Sequence, residues 1–231
     1  IGVPLTLLEI NDKHEIGIIE MGANHQGEIK FLCEIAKPNY GVITNIGKAH
    51  LEGFKNFEGV KKTKKELYDY IKKTEGQIFI NSDDEILLDI SQGIKSIGYG
   101  KKGDFIGSEV RTSVFCEVIY DNHEIKSHLI GDYQFYNIML AITIAKYFKI
   151  KEKNIFKSIE SYKPNNNRSQ VIDSGNNLII LDAYNANPSS MNKMINSFYK
   201  IKKENKICIL GEMGELGKFS QNEHAIIIKL M

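Results

Sequence analysis

The 231 residues have little of what marks several large classes of protein. There are three cysteines, Cys33, Cys116 and Cys208. Odd in number and far apart, they form neither a metal-binding spacing nor a disulfide framework. Cys116 and Cys208 lie in apolar, strand-like runs, where buried structural thiols are expected, and a reducing cytoplasm suits them. No apolar run approaches the roughly 20 residues that span a bilayer, so no membrane insertion is expected. Charge of one sign is missing too: 30 Lys plus Arg face 29 Asp plus Glu, a formal net charge of +1. Nothing in that balance points to nucleic acid. Ile1-Gly2-Val3-Pro4 has no charged n-region or cleavage site, so no secretory leader is read there. The chain opens without Met and closes at Leu230-Met231 in an apolar, helix-like run, so a longer parent is expected at both ends.

What is present is a hydrophobic fraction of 42%, enough for a packed core in one or two domains. The stretch from Ile16 to Glu66 is the organising one. Ile16–Ile19 is short and β-branched and reads as a buried parallel strand, with Glu20 at its end. Tyr40–Thr44 repeats the pattern, with Asn45 and His50 just beyond. Ligands of open α/β sheets bind at the carboxyl ends of the strands, so Glu20, Asn45 and His50 are placed toward one crevice. Glu20 alone reads first as a solvated loop residue. The glycines at 17, 22, 27, 41, 47 and 53 strengthen the ligand reading, because glycine lets a backbone approach a ligand closely.

In chain order, Pro4 opens a short helix through Leu8. Residues 27–36 place Ile29, Leu32, Cys33 and Ala36 at helical spacing, and Lys37-Pro38 ends that helix before the strand 40–44. Residues 57–73 form an amphipathic helix with Val60, Leu67, Tyr70 and Ile71 in one stripe. A strand at 77–80, a capped short helix after Asp84, and a strand turning at Gly98–Gly103 follow. The period then changes: 105–130 alternates as antiparallel strands, with Asp121-Asn122-His123 as a turn. Helices at 133–148 and 152–161 lead to Lys163-Pro164-Asn165-Asn166-Asn167-Arg168, a polar linker. Beyond it come strands at 170–173 and 178–181, a helix at 188–201, a strand at 207–210 and a helix from Ser220. The expected fold is α/β: a mostly parallel sheet flanked by helices with an added antiparallel segment (1–165), then the start of a Rossmann-like domain (166–231).

A second polar cluster is Asp182-Ala183-Tyr184-Asn185-Ala186-Asn187-Pro188. Pro188 suits a first helical turn, and such a loop offers amides and a helix N-terminus to an anion. Plain turn chemistry explains the same residue types equally well.

The strings Ile1–Leu8, Glu20-Met-Gly-Ala-Asn-His25, Thr44-Asn-Ile-Gly-Lys-Ala-His-Leu-Glu-Gly-Phe54, Tyr184-Asn-Ala-Asn-Pro188 and Leu210-Gly-Glu-Met-Gly-Glu-Leu-Gly217 occur in this order along nearly the whole chain. Together they resemble the Mur ligases of peptidoglycan synthesis. Within that resemblance, Tyr184–Pro188 implies the branch whose members join D-alanyl-D-alanine to UDP-N-acetylmuramoyl-tripeptide.

The resemblance implies ATP-dependent amide formation through an acyl phosphate, with ATP and Mg²⁺ required, by a cytoplasmic monomer. It also implies roles for single residues. Glu20 is matched to a magnesium carboxylate, His50 to a second metal site, and Lys64 to a carbamylated lysine, which is flanked here by Thr63 and Lys65. Asn137, Arg168, Asp182 and Asn185 are matched to ATP contacts, although Tyr133 stands where relatives often have His. Asn24, His25, Asn45 and Asn187 are matched to the substrate crevice. His14, His123, His128 and His224 match no catalytic role and are expected at the surface or in packing. The family's phosphate-binding loop is expected before Ile1. Gly98-Tyr-Gly-Lys-Lys-Gly103 has the wrong spacing for it and reads as a surface turn. Sibling amide ligases on the same scaffold, such as another Mur ligase or a folylpolyglutamate synthetase, and a non-catalytic binding fragment are the alternatives.

Overall fold

The computed structural model describes residues 1–110 and 114–231. Residues 111–113, inside the run 105–130 assigned to antiparallel strands, lie outside the described residues.

Helices α1 (Gly2–Leu8) and α2 (Glu28–Ala36) precede strand β1 (Tyr40–Val42), the short helix α3 (Leu51–Phe54) and the long α4 (Phe57–Lys73). α4 begins where the sequence supplies a cap: the Asn56 side chain accepts from the Gly59 amide at 2.9 Å. It ends among Lys72 and Lys73, which complement the negative end of the helix dipole. Strand β2 (Gln77–Asn81), helix α5 (Glu85–Ile90), strand β3 (Lys95–Gly100) and strand β4 (Phe105–Val110) follow. Strands β5 (Phe115–Tyr120) and β6 (His123–Ile130) come next, then helices α6 (Gln134–Tyr147) and α7 (Glu152–Ser161).

The sheet runs β1-β2-β3-β4-β5-β6. β1 to β4 pair in parallel, and β5 and β6 add antiparallel. Side chains alternate across β2. Ile78 and Ile80 enter the core under Tyr68 and Ile71 of α4 and Leu87 of α5. Phe79 enters the opposite core, with Ile138, Met139 and Ile142 of α6. This two-faced burial accounts for the apolar run Ile78-Phe79-Ile80 and sets which face of the sheet α4 covers.

Past Ser161, strands β7 (Gln170–Asp173) and β8 (Leu178–Leu181) pair antiparallel, and helices α8 (Pro188–Lys200) and α9 (Ser220–Lys229) follow. Leu51, Phe54 and Val60 share a third core with Ile195, Met213, Leu216 and Ile227. The C-terminal segment is therefore packed on α3 and α4.

Four readings of the sequence need correcting. Ile16–Ile19 is not a strand, and Ile18 is 83% exposed. Ile207–Leu210 is not one either, with Ile207 80% and Ile209 94% exposed. A β-branched run becomes a strand only where its amides find a neighbouring strand and its side chains a cover; these two runs have neither among the described residues. Gly98, Tyr99 and Gly100 belong to the buried part of β3 rather than to a surface turn, and the exposed bend covers 101–104. Cys116 is buried as expected, but Cys208 is only half-buried because its run forms no strand.

Candidate functional site

The loop between β1 and α3 carries two of the singled-out residues, Asn45 and His50. Lys64, on α4, points at this loop: its Nζ donates to the Asn45 carbonyl at 2.8 Å. Burial pushes the Lys64 ammonium below its ordinary lysine value. Lys65, one residue on, is turned to the outer face of the helix and ion-pairs with Asp69. The rotation of about 100° per residue of an α-helix accounts for the difference. The Asn45 side chain stays at the surface beside Thr44.

The segment 20–28 is tied against the same helices. The Glu66 carboxylate, on α4, accepts from the Gly27 amide at 2.7 Å and the Lys30 amide at 3.0 Å, so it satisfies donors at the start of α2 that no helical carbonyl can reach. The Glu28 carboxylate accepts from the Asn24 and His25 amides at 2.7 and 2.9 Å; these bonds, His25's first, hold its pKa below the ordinary value. Gly53 must be glycine for close approach, since a Cβ there would lie 2.1 Å from the Asn24 carbonyl oxygen. Asn24 and His25 are therefore set beside α3 with exposed side chains. Glu20 is exposed, and its carboxylate has no hydrogen bond or ion pair to any described residue.

His50 precedes α3 with a left-handed φ of 51°. Its Nδ1 is paired with the Glu215 carboxylate of the C-terminal segment. Two further bonds cross the same seam. The Lys48 amide donates to Ser189 Oγ at 2.8 Å, and Lys48 Nζ reaches the Glu223 carboxylate at 2.7 Å.

The other polar group lies at the linker. Asp182 accepts from the Ser169 amide at 2.8 Å, and the Ser169 hydroxyl is 3.0 Å from Tyr133 Oη. The Asn167 carbonyl accepts from the Ala183 and Tyr184 amides. The Arg168 guanidinium stacks over the Tyr184 ring, 3.9 Å from its centroid. Asn137, on the first turn of α6, is exposed and donates to Gln134. Asn187 caps α8 in a reciprocal box with Ser190, and Asn185 is exposed in the loop before it.

The structure thus brings Lys64, Asn45 and His50 to one end of the body beside the anchored 20–28 segment, and gathers Arg168 and Asp182 at the linker. Among the described residues no three His, Cys, Asp or Glu side chains converge as a metal cluster. Glu66, Glu215 and Lys48 are contacts that sequence reasoning passed over. Lys48 and Glu215 stand inside the strings quoted above, and Glu66 closes the organising stretch, but only the fold discloses their partners. His14, His123 and His224 are engaged in local bonds or ring packing, and His128 lies edge-on to Phe115.

Residues 1–145 match the model of the Mur ligase middle domain, and residues 167–231 match that of the Mur ligase glutamate ligase domain. The UDP-N-acetylmuramoyl-tripeptide--D-alanyl-D-alanine ligase of Treponema pallidum is 32% identical over 97% of this chain and 49% of its own length. That of Bacillus subtilis is 32% identical over 97% and 50%. The MurF ligase of Thermotoga maritima in complex with ADP superposes with a TM-score of 0.86 at 26% identity, over 99% of this chain and 55% of that one. MurF from Acinetobacter baumannii gives 0.85 at 28% identity, over 97% and 51%. The chain spans about half the length of the curated relatives it matches. It belongs to the Mur ligase family.

Proposed function

We propose, with that membership as premise, that this chain carries the central and ligase parts of an ATP-dependent enzyme that adds D-alanyl-D-alanine to UDP-N-acetylmuramoyl-tripeptide in the cytoplasm. On this reading 1–165 is the ATP-binding domain and 166–231 the start of the ligase domain. The substrate carboxylate attacks the γ-phosphorus of ATP and ADP leaves. The acyl phosphate is then attacked by the amine of D-alanyl-D-alanine, forming the amide and releasing phosphate and a proton. The names of the relatives support the substrates, and Arg168 over Tyr184 offers a flat cationic face for a nucleotide, with the Asp182 carboxylate bonded to the next residue, Ser169.

The observation that carries the reading is Lys64. A half-buried lysine whose ammonium is disfavoured, aimed at a strand-end carbonyl, is poised to react with CO₂, because a carbamate forms on the neutral amine. Its product is an anion. Magnesium takes oxygen ligands, usually one or two carboxylates with substrate phosphates, and the free Glu20 carboxylate suits that chemistry. Glu20 and a carbamylated Lys64 would hold the ion, with His50 beside them. When bound, the ion neutralises charge on the phosphoryl oxygens. Lys64 itself sets the geometry of the Asn45 turn, and Glu66 keeps the 20–28 segment against α4.

The test is product formation by the parent protein from ATP, UDP-N-acetylmuramoyl-tripeptide and D-alanyl-D-alanine, read by mass spectrometry. Lys64→Ala is expected to lose several kcal/mol of transition-state stabilisation, with partial rescue by short carboxylates. Lys65→Ala should stay near wild type. Turnover only with a different amine acceptor would assign a sibling ligase, and phosphate release with no acceptor would leave a binding role. The 231 residues alone contain no Gly-x-x-x-x-Gly-Lys-[Ser/Thr] string, so no ATP turnover is expected from them in isolation.

A further inference from the structure

We infer that Glu215 is a positioning residue for His50, supplied by the C-terminal segment, so that the His50 side of the site is complete only when that segment is docked. The inference rests on the ligase reading for its functional meaning, but the geometry stands by itself. An ionised carboxylate only accepts, so the hydrogen between Glu215 and His50 must sit on Nδ1. In the neutral ring Nε2 then carries the lone pair, and no described residue bonds to it. A carboxylate on one imidazole nitrogen is the arrangement that fixes tautomer and ring orientation for a ligand on the other.

Glu215 is not a chance surface contact. Its backbone is held at a left-handed φ of 56°, and its carbonyl accepts from the Glu52 amide at 3.0 Å. Its neighbours Met213 and Leu216 are buried in the core shared with Leu51, Phe54 and Val60. The Met213 amide is fixed by His224 at 3.0 Å. Three residues of one loop are thus clamped to α3, the helix that His50 opens. The carboxylate reaches His50 across 165 residues of sequence.

The experiment uses ¹⁵N-histidine-labelled chain at the alkaline end of a pH series, where the ring-nitrogen shifts have stopped changing. Long-range ¹H–¹⁵N correlation reads the tautomer, and His50→Phe assigns the resonance. Wild type should show the Nδ1–H form. Glu215→Ala should average the two ring nitrogens, and Glu215→Gln, which still accepts through its amide oxygen, should restore the Nδ1–H form. In the parent enzyme Glu215→Ala should lower kcat about 10–100-fold with KM for ATP little changed, and Glu215→Gln should recover part of it. An Nε2–H ring in wild type, or a Glu215→Ala spectrum and kcat equal to wild type, would overturn the assignment. If wild type ligates no acceptor while the tautomer result holds, the ligase reading falls and the pairing stands.

Discussion

The two parts of the molecule hold their polar groups in different ways. In the six-stranded body the key bonds close on the body itself: Lys64 to the Asn45 carbonyl, and Glu66 to the amides of Gly27 and Lys30. In the C-terminal segment they reach out of it: Ser189 to Lys48, Glu215 to His50, Glu223 to Lys48. The apolar groups divide likewise. Tyr68, Ile71 and Ile78 are fully buried inside the body, whereas the C-terminal segment leaves Ile179, Ile207 and Ile209 exposed and buries Ile195 and Ile227 chiefly at the seam. The body is a self-sufficient scaffold that fixes Lys64. The segment is a docked part whose order depends on the contact it makes. This division suits a site assembled from two pieces, since groups on rigid elements are held more closely than groups on loops.

The hardest blow to that contrast is struck in the body. Ile78→Ala removes a side chain packed between Tyr68, Ile71 and Leu87 and should cost about 2–5 kcal/mol in urea unfolding. Ile209→Ala, in the exposed run, should stay within about 0.5 kcal/mol. Comparable losses from the two would mean that the segment carries a core of its own. A smaller effect is expected at the seam. Glu223 is a buried carboxylate, 6% exposed at its side chain, and Lys48 is half exposed. Lys48→Met leaves the carboxylate unpaired. The cost should be about 1–3 kcal/mol, less than for a fully buried pair. Hydrogen exchange should locate it: amides of α8 and α9 exchange faster while those of α4 and β2 do not change. Equal acceleration in α4 would show that the body leans on the segment.

Sequence reading reached most of the elements and part of the site, and the failures share one cause. α4 and α7 were legible to the residue, and α6 and α8 to within one or two, because an amphipathic stripe and a local cap are properties of consecutive residues. β7 and β8 were legible because each has its pairing partner close by in sequence, from Asp173 opposite Leu178 onward. Ile16–Ile19 and Ile207–Leu210 have strand composition, but a strand is a relation to a neighbour that the run itself does not encode. The site divides in the same way. That Lys64 and Lys65 face different directions follows from helical rotation. The partners of His50 and Lys48 lie 165 and 175 residues away, and no local pattern announces them.

The last contrast lies in the thiols and should leave fold and activity untouched. Cys33 and Cys116 sit in the body, both buried. Burial, aided by the Glu66 charge, pushes the Cys33 thiol up to about 11. Burial, with Glu109 next, pushes Cys116 up to about 12. Cys208, in the unpaired run of the C-terminal segment, is only half-buried. The thiolate is the reactive form, so at about pH 8, below the ordinary cysteine value of about 8.5, the two body thiols are almost wholly protonated as well as covered. A colorimetric disulfide reagent should therefore titrate one fast thiol in the native chain and three after denaturant, with peptide mapping placing the fast label on Cys208. The sign of the accompanying pH effect follows from linkage. Between the unfolded thiol value and the raised folded values the native state binds more protons than the unfolded one, so stability falls as pH rises through that window. Cys116→Ser should flatten part of that fall. Fast labelling of Cys116 in the native chain would show that the antiparallel end of the sheet opens as readily as the C-terminal segment, and the distinction between scaffold and docked part would be lost.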